Sequence, residues 1–184
     1  MPLPAERFGW ARRQMDVARR ELEDSLAAIE PSLWVQQPAP GRWSVSQVVQ
    51  HLQLVEARVL ARMERALAAG VPPRPDWRRF FHLPVSWVEG RGVRVKTFDR
   101  FDPREPVPAE QVLAEWRAIR ERLWAVLAPH REHDLRGHCA RHPFLGFLDG
   151  YAWMAYLGAH ERRHRKQIAE IVAALRRADA PASR

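Results

Sequence analysis

His160 and His164 stand four residues apart in the run His160-Glu161-Arg162-Arg163-His164. Around them Trp153, Leu157, Ile168, Ile171 and Leu175 recur at helical spacing, and the two histidines fill places in that stripe where apolar residues belong. Four residues turn an α-helix by about 400°, so both imidazoles leave one face a single turn apart. That spacing lets two ring nitrogens reach one ion at about 2.0–2.1 Å each. A pair of core histidines satisfied by hydrogen bonds is the alternative, and it is weakened because protonating one stacked ring raises the cost of protonating the other. His51 adds a third candidate. It lies three residues after Val48 and four before Val55, on the inner face of a second helix. Three neutral imidazoles suit zinc, nickel, iron and copper alike, and they leave a coordination position open, as catalytic rather than structural sites do.

A rival cluster lies between the last two helices, where His130, His133, His138, Cys139 and His142 fall within thirteen residues. Cys139 and His142 have metal-ligand spacing, but no second paired motif accompanies them, and solvated or hydrogen-bonded loop histidines are the plainer reading. No general base stands out. Glu56 is five residues from His51 and points well away from it, and Glu161 is about 100° around the helix from His160.

Four helices must position these residues. The first, over 5–29, carries Phe8, Ala11, Met15, Ala18, Leu22, Leu26 and Ile29 as its apolar stripe and stops before Pro31. The second, over 44–69, opens on Ser44 with Gln47 three residues on, the pattern of a capping box, and buries Val45, Val48, Leu52, Val55, Val59 and Met63. Gly70, Pro72 and Pro73 end it. The third, over 109–128, carries Leu113, Trp116, Ile119, Leu123 and Leu127, and the fourth runs over 150–176. Residues 71–107 form a long irregular crossover with one alternating run, Val93 to Phe98, that reads as a brief strand or an extended loop. Trp77, Phe80, Phe81 and Trp87 either fold this loop back or wall a pocket, whereas Trp116 and Trp153 sit on core stripes and Trp43 can staple the start of the second helix. The expected fold is all-α: a four-helix bundle forming a single domain over 1–184, with a long crossover between helices two and three and a disordered tail at 178–184.

Composition narrows the function classes. The chain has 184 residues, 46% of them hydrophobic and 28% charged, which is a globular balance. A formal charge of +8 raises the question of nucleic acid, but many arginines sit beside acids, as in Arg19-Arg20-Glu21 and Glu121-Arg122, and read as solvated helix faces. Only Arg162-Arg163-His164-Arg165-Lys166 is densely basic, and no recognition module accompanies it, so sequence-specific DNA or RNA binding is not expected. The single cysteine, the lack of an apolar secretion signal at the first residues and the lack of a run of about 20 apolar residues lead to the expectation of a cytoplasmic protein with no membrane partner.

The run Gly41-Arg42-Trp43-Ser44-Val45-Ser46-Gln47-Val48-Val49-Gln50-His51-Leu52 resembles the second-helix motif of the DinB-like superfamily. His142-Pro143-Phe144-Leu145-Gly146-Phe147-Leu148, then His160 to Ile168, is similar to the loop and fourth helix of one branch of it. The resemblance spans most of the chain and keeps the order of the three histidines. It implies a metal-binding bundle, often a homodimer, with His51, His160 and His164 as ligands to a divalent ion, zinc or nickel. It also implies a small-molecule substrate, since the superfamily includes bacillithiol transferases, mycothiol-dependent isomerases and metal-dependent hydrolases. Of these, the transferase reading, with a low-molecular-weight thiol as cofactor, fits the missing general base. A hydrolase, or a non-catalytic metal-binding stress-response bundle, is the alternative. The long aromatic segment 71–107 departs from the family pattern.

Overall fold

In a computed structural model the described residues are 2–70, 76–90 and 101–179. Four helices dominate them: α1 (Pro4–Ala27), α2 (Val45–Ala68), α3 (Ala109–Leu127) and α4 (Gly150–Asp179). The four-helix bundle is as the periodicity predicts. The first helix stops two residues early, leaving Ile29 outside it, and α4 continues through 178 and 179, part of the expected tail. The capping box of α2 forms as read: Gln47 N donates to Ser44 Oγ at 3.2 Å and Ser44 N donates to Gln47 Oε1 at 3.0 Å.

Two apolar clusters show how the helices run. One gathers the first half of α1 (Phe8, Met15), the second halves of α2 (Val59, Met63) and α3 (Leu123, Leu127), and the start of α4 (Met154, Leu157). The other gathers the opposite halves, with Leu22, Leu26, Val45, Val48, Trp116, Ile168 and Leu175. Hence α2 and α3 run parallel, and α1 and α4 run parallel to each other and antiparallel to that pair. A parallel neighbour requires the chain to travel back along the bundle, about 36 Å for a 24-residue helix, before α3 can begin. The long crossover is therefore a demand of topology.

Its last stretch is tied down. Going from Phe101 to Val107 the chain passes back along α2 toward Ser44, and polar side chains of α2 bind its backbone. Gln50 Nε2 donates to Glu105 O (3.0 Å) while its Oε1 accepts from Arg104 N (3.0 Å), Gln47 Nε2 donates to Arg104 O (3.1 Å), and Ser46 Oγ donates to Val107 O (2.7 Å). These bonds explain why Ser46, Gln47 and Gln50 are buried. Trp77, Phe80, Phe81 and Trp87, in two short helical turns (Trp77–Phe80 and Val85–Glu89) and the chain between them, are exposed rather than walls of a pocket. The Val93–Phe98 run lies outside the described residues.

One minor element accompanies the four helices. The segment between α3 and α4 forms a small antiparallel hairpin, β1 (Ala140–His142) with β2 (Gly146–Leu148), and Phe81 to Leu83 adds two backbone bonds to it. Gly146 permits this. Its φ is +93°, and a Cβ there would lie 2.3 Å from the Phe81 carbonyl oxygen. Gly158 does the same for helix packing, since a Cβ would meet Gln14 O of α1 at 2.6 Å. Among the described residues no helix is long and apolar enough to cross a membrane.

Candidate metal centre

Between the two apolar clusters the bundle carries a polar layer. α2 contributes His51 and Glu56, α4 contributes His160, Glu161 and His164, α1 contributes Arg19 and α3 contributes Arg120, and all are buried. The three histidines face one another. Ring centroids are 5.3 Å apart for His51 and His160, 4.9 Å for His51 and His164, and 4.4 Å for His160 and His164. One ligand atom from each can be chosen so that all lie within 4.8 Å of one another.

The donor set fits a metal ion. His160 Nε2 and His164 Nε2 approach to 3.1 Å. Two nitrogens each about 2.05 Å from a common tetrahedral ion sit about 3.3 Å apart. Second partners aim the rings: His51 Nδ1 lies 2.9 Å from the Phe101 carbonyl and His164 Nδ1 lies 2.8 Å from Gln167 Oε1. An Nδ1–H donating to each oxygen leaves Nε2 with its lone pair, as a metal-ligating imidazole requires. Burial pushes the His51 imidazole below its ordinary range, with the Phe101 carbonyl and the charge of Asp102 opposing it. His160 is pushed well below by burial first and then by the neighbouring histidines. Both are therefore neutral at pH 7, the form that binds metal. Trp43, read as a staple for the helix start, lies against the His51 ring with centroids 5.1 Å apart, and Tyr156 stacks on His160 at 5.4 Å.

The rival loop cluster is not brought together: among the described residues the only group of three or more potential ligands is His51, His160 and His164. His130 and His133 contact each other at the surface, with Nδ1 atoms 3.0 Å apart. His142 turns inward onto Tyr156 (4.6 Å) and Trp153 (5.4 Å), and its Nδ1 accepts from Phe144 N and Leu145 N at 3.2 Å each. Cys139 lines a cavity of about 440 Å³ with Arg62, Met63, His138 and Trp153, and that cavity includes none of the three histidines. Burial pushes the Cys139 thiol up to about 11.

The burial and mutual pairing of Arg19, Glu56, Arg120 and Glu161 escaped the reading of the sequence. Arg19 is buried, whereas its neighbour Arg20 is exposed, so the solvated-face reading holds only for the second. The buried face of α3 runs Val112, Trp116, Arg120, Leu123 and Leu127, rotated from the expected stripe so that Leu113 and Ile119 are only partly covered. Arg19 Nη2 lies 2.6 Å from Glu56 Oε2, Arg120 Nη2 lies 2.9 Å from Glu161 Oε1, and Arg120 Nε binds Glu56 Oε1. Arg19 Nε is in ion-pair contact with Glu161 Oε1 at 2.9 Å, and its guanidinium lies 3.4 Å from the centre of the Trp116 ring. The signal was spacing: Arg19 sits four after Met15 and three before Leu22, and Arg120 sits four after Trp116 and three before Leu123.

Comparison with known proteins agrees with this architecture. YuaE of Bacillus subtilis (strain 168), an uncharacterized protein, is 25% identical over 162 residues, covering 88% of this chain and 96% of its own. The crystal structure of TT2238, a four-helix bundle protein, superposes with a TM-score of 0.57 at 23% identity, covering 89% of this chain and 98% of that one. Residues 14–168, which include all three histidines, match the DinB superfamily, and the chain belongs to that superfamily.

Proposed function

We propose that this protein is an enzyme working through one divalent metal ion, zinc or nickel, held by His51, His160 and His164. We propose further that it transfers a low-molecular-weight thiol to an electrophilic small molecule. The observation carrying the metal reading is the convergence of three buried imidazoles with ligand atoms within 4.8 Å of one another. A divalent ion held there supplies charge that stabilises a thiolate near neutral pH and polarises an electrophile.

The chain's own residues do the rest. The Phe101 carbonyl and Gln167 orient the rings, and Tyr156, stacked on His160, screens the centre from one side. Arg163, whose charge acts on both His160 and Tyr156, adds positive potential suited to an anionic thiol. The transferase reading is favoured because Glu56 and Glu161 are held by arginines, so neither is available to take a proton from water. Cys139, with its raised thiol, lies outside the triad, so the nucleophile must come from a cofactor. The second reading, a hydrolase, rests on Asp102, an exposed carboxylate whose charge reaches His51.

The test is to add bacillithiol, mycothiol, glutathione and coenzyme A in turn to the cobalt-substituted protein. A new near-ultraviolet absorption with one thiol, together with turnover of an electrophilic acceptor lost in His51→Ala, is the expected result. No thiol response alongside metal-dependent ester or amide cleavage moves the assignment to hydrolase. Neither response makes the protein a non-catalytic metal-binding bundle.

A further inference from the structure

We propose that Arg19, Glu56, Arg120 and Glu161 are positioning residues whose ion pairs fix α2 against α4 and so set the separation of His51 from His160 and His164. The proposal deepens the metal reading above and rests on it for one arm of its test.

Connectivity is the first argument. The two helices that carry histidines are α2 and α4. Each arginine comes from a helix that carries none, and each touches one carboxylate from α2 and one from α4. Arg19 of α1 reaches Glu56 at 2.6 Å and Glu161 at 2.9 Å. Arg120 of α3 binds Glu56 and reaches Glu161 at 2.9 Å. The four residues form a closed ring of contacts, one residue per helix, in the same layer as the histidines. Glu161 directly follows His160, and Glu56 is about one and a half turns from His51. Any sliding of α2 along α4 that moves the imidazoles must also break this ring.

Cost is the second argument. Arg19 Nη1, Arg120 Nη1 and Glu161 Oε2 are buried without a hydrogen-bond partner. A buried ionic group left partly unsatisfied is expensive, and replacing such a cluster by apolar side chains of similar volume is often neutral or stabilising. Stability alone is therefore a poor reason for four charges in the centre of a bundle. Fixing register is the best-attested use of buried polar groups, and here register has a consumer. Metal–ligand distances tolerate only about 0.2 Å, whereas apolar side chains repack at small cost over larger shifts.

The experiment compares wild type, Glu56→Gln, the quadruple variant Arg19→Leu/Glu56→Met/Arg120→Met/Glu161→Leu, and Leu22→Ala in the second apolar cluster as a control. Zinc affinity is read by competition with a chromophoric chelator, and the three imidazoles of the metal-free protein by long-range ¹H–¹⁵N spectra. The quadruple variant is expected to keep its helical signal and a Tm no lower than wild type, to bind zinc at least tenfold more weakly, and to show shifted imidazole signals for His51, His160 and His164. A folded quadruple variant with unchanged affinity and unchanged imidazole signals overturns the proposal. Should the quadruple variant not fold, Glu56→Gln, which keeps shape and removes one charge, is read in the same way. Leu22→Ala should lower Tm and leave zinc affinity unchanged; an equal loss of affinity there would mean general loosening and would also overturn the proposal. If wild type takes up no zinc, the metal reading fails on its own, and the imidazole spectra alone decide: shifted signals in the variants support the clasp and unshifted ones overturn it.

Discussion

His142 makes folding acid-sensitive in a way that one substitution can test. Its ring is buried against Tyr156 and Trp153, and burial first, then the charge of Arg62, pushes its imidazole down to about 4 from the ordinary 6.5. The unfolded chain therefore binds a proton that the folded chain refuses. His142's contribution to stability is complete above about pH 6.5 and is lost progressively as pH falls toward 4. Between pH 7.5 and 5.0 linkage gives a loss of about 2 kcal/mol, or about 1–2 kcal/mol allowing for solvent at the ring edge. The perturbation is His142→Asn. Asparagine Oδ1 stands near the position of Nδ1 and can still accept from Phe144 N and Leu145 N, but it has no charge to gain. The variant loses ring packing at both pH values. The depressed His51 contributes to both proteins, and the charge of His142 also acts on His160, so the difference between them reports His142 together with its effect on His160. Urea denaturation with a chelator present should show wild type losing about 1–2 kcal/mol more than His142→Asn over that interval. Parallel losses in the two proteins would refute the reasoning.

Gly158→Ala should destabilise by about 2 kcal/mol or more, although alanine normally favours a helix by about 0.5–1 kcal/mol, because its Cβ meets Gln14 O at 2.6 Å. A thermal melt gives the sign, and a raised Tm would show that α1 and α4 are not in this close contact. Gln167→Ala should weaken zinc binding about tenfold, since it removes the Oε1 that orients the His164 ring through Nδ1; chelator competition checks it. Binding to duplex DNA should be weak, indifferent to sequence, and reduced by an order of magnitude or more between about 50 and 200 mM salt. A titration showing one duplex preferred at physiological salt would contradict this.

Much of the fold was legible because apolar periodicity and caps act locally. The α4 stripe from Trp153 to Leu175 and the Ser44–Gln47 capping box are written within single segments, and both form as read. The convergence of the three histidines was legible for the same reason, since each sits where its own helix faces inward. What escaped depends on partners far along the chain. Arg19 next to Arg20 and Glu21 has the look of a solvated face, and only Glu56, 37 residues away, and Glu161 on the fourth helix make its burial tolerable. The rotation of α3 follows from the same network, because Arg120 turns inward to meet those carboxylates. The hairpin at 140–148 was hidden as well. Its pairing is short, and Gly146 is demanded by the distant Phe81 backbone as well as by its own positive φ.

The measurement that bears most directly on the metal centre is X-ray fluorescence with anomalous diffraction on crystals of protein purified without an affinity tag. One zinc or nickel edge and one anomalous peak per chain, within about 2.0–2.2 Å of a nitrogen from each of His51, His160 and His164, is the predicted result. A peak beside Cys139 and His142 instead, or no bound transition metal after purification in metal-replete buffer, would contradict it.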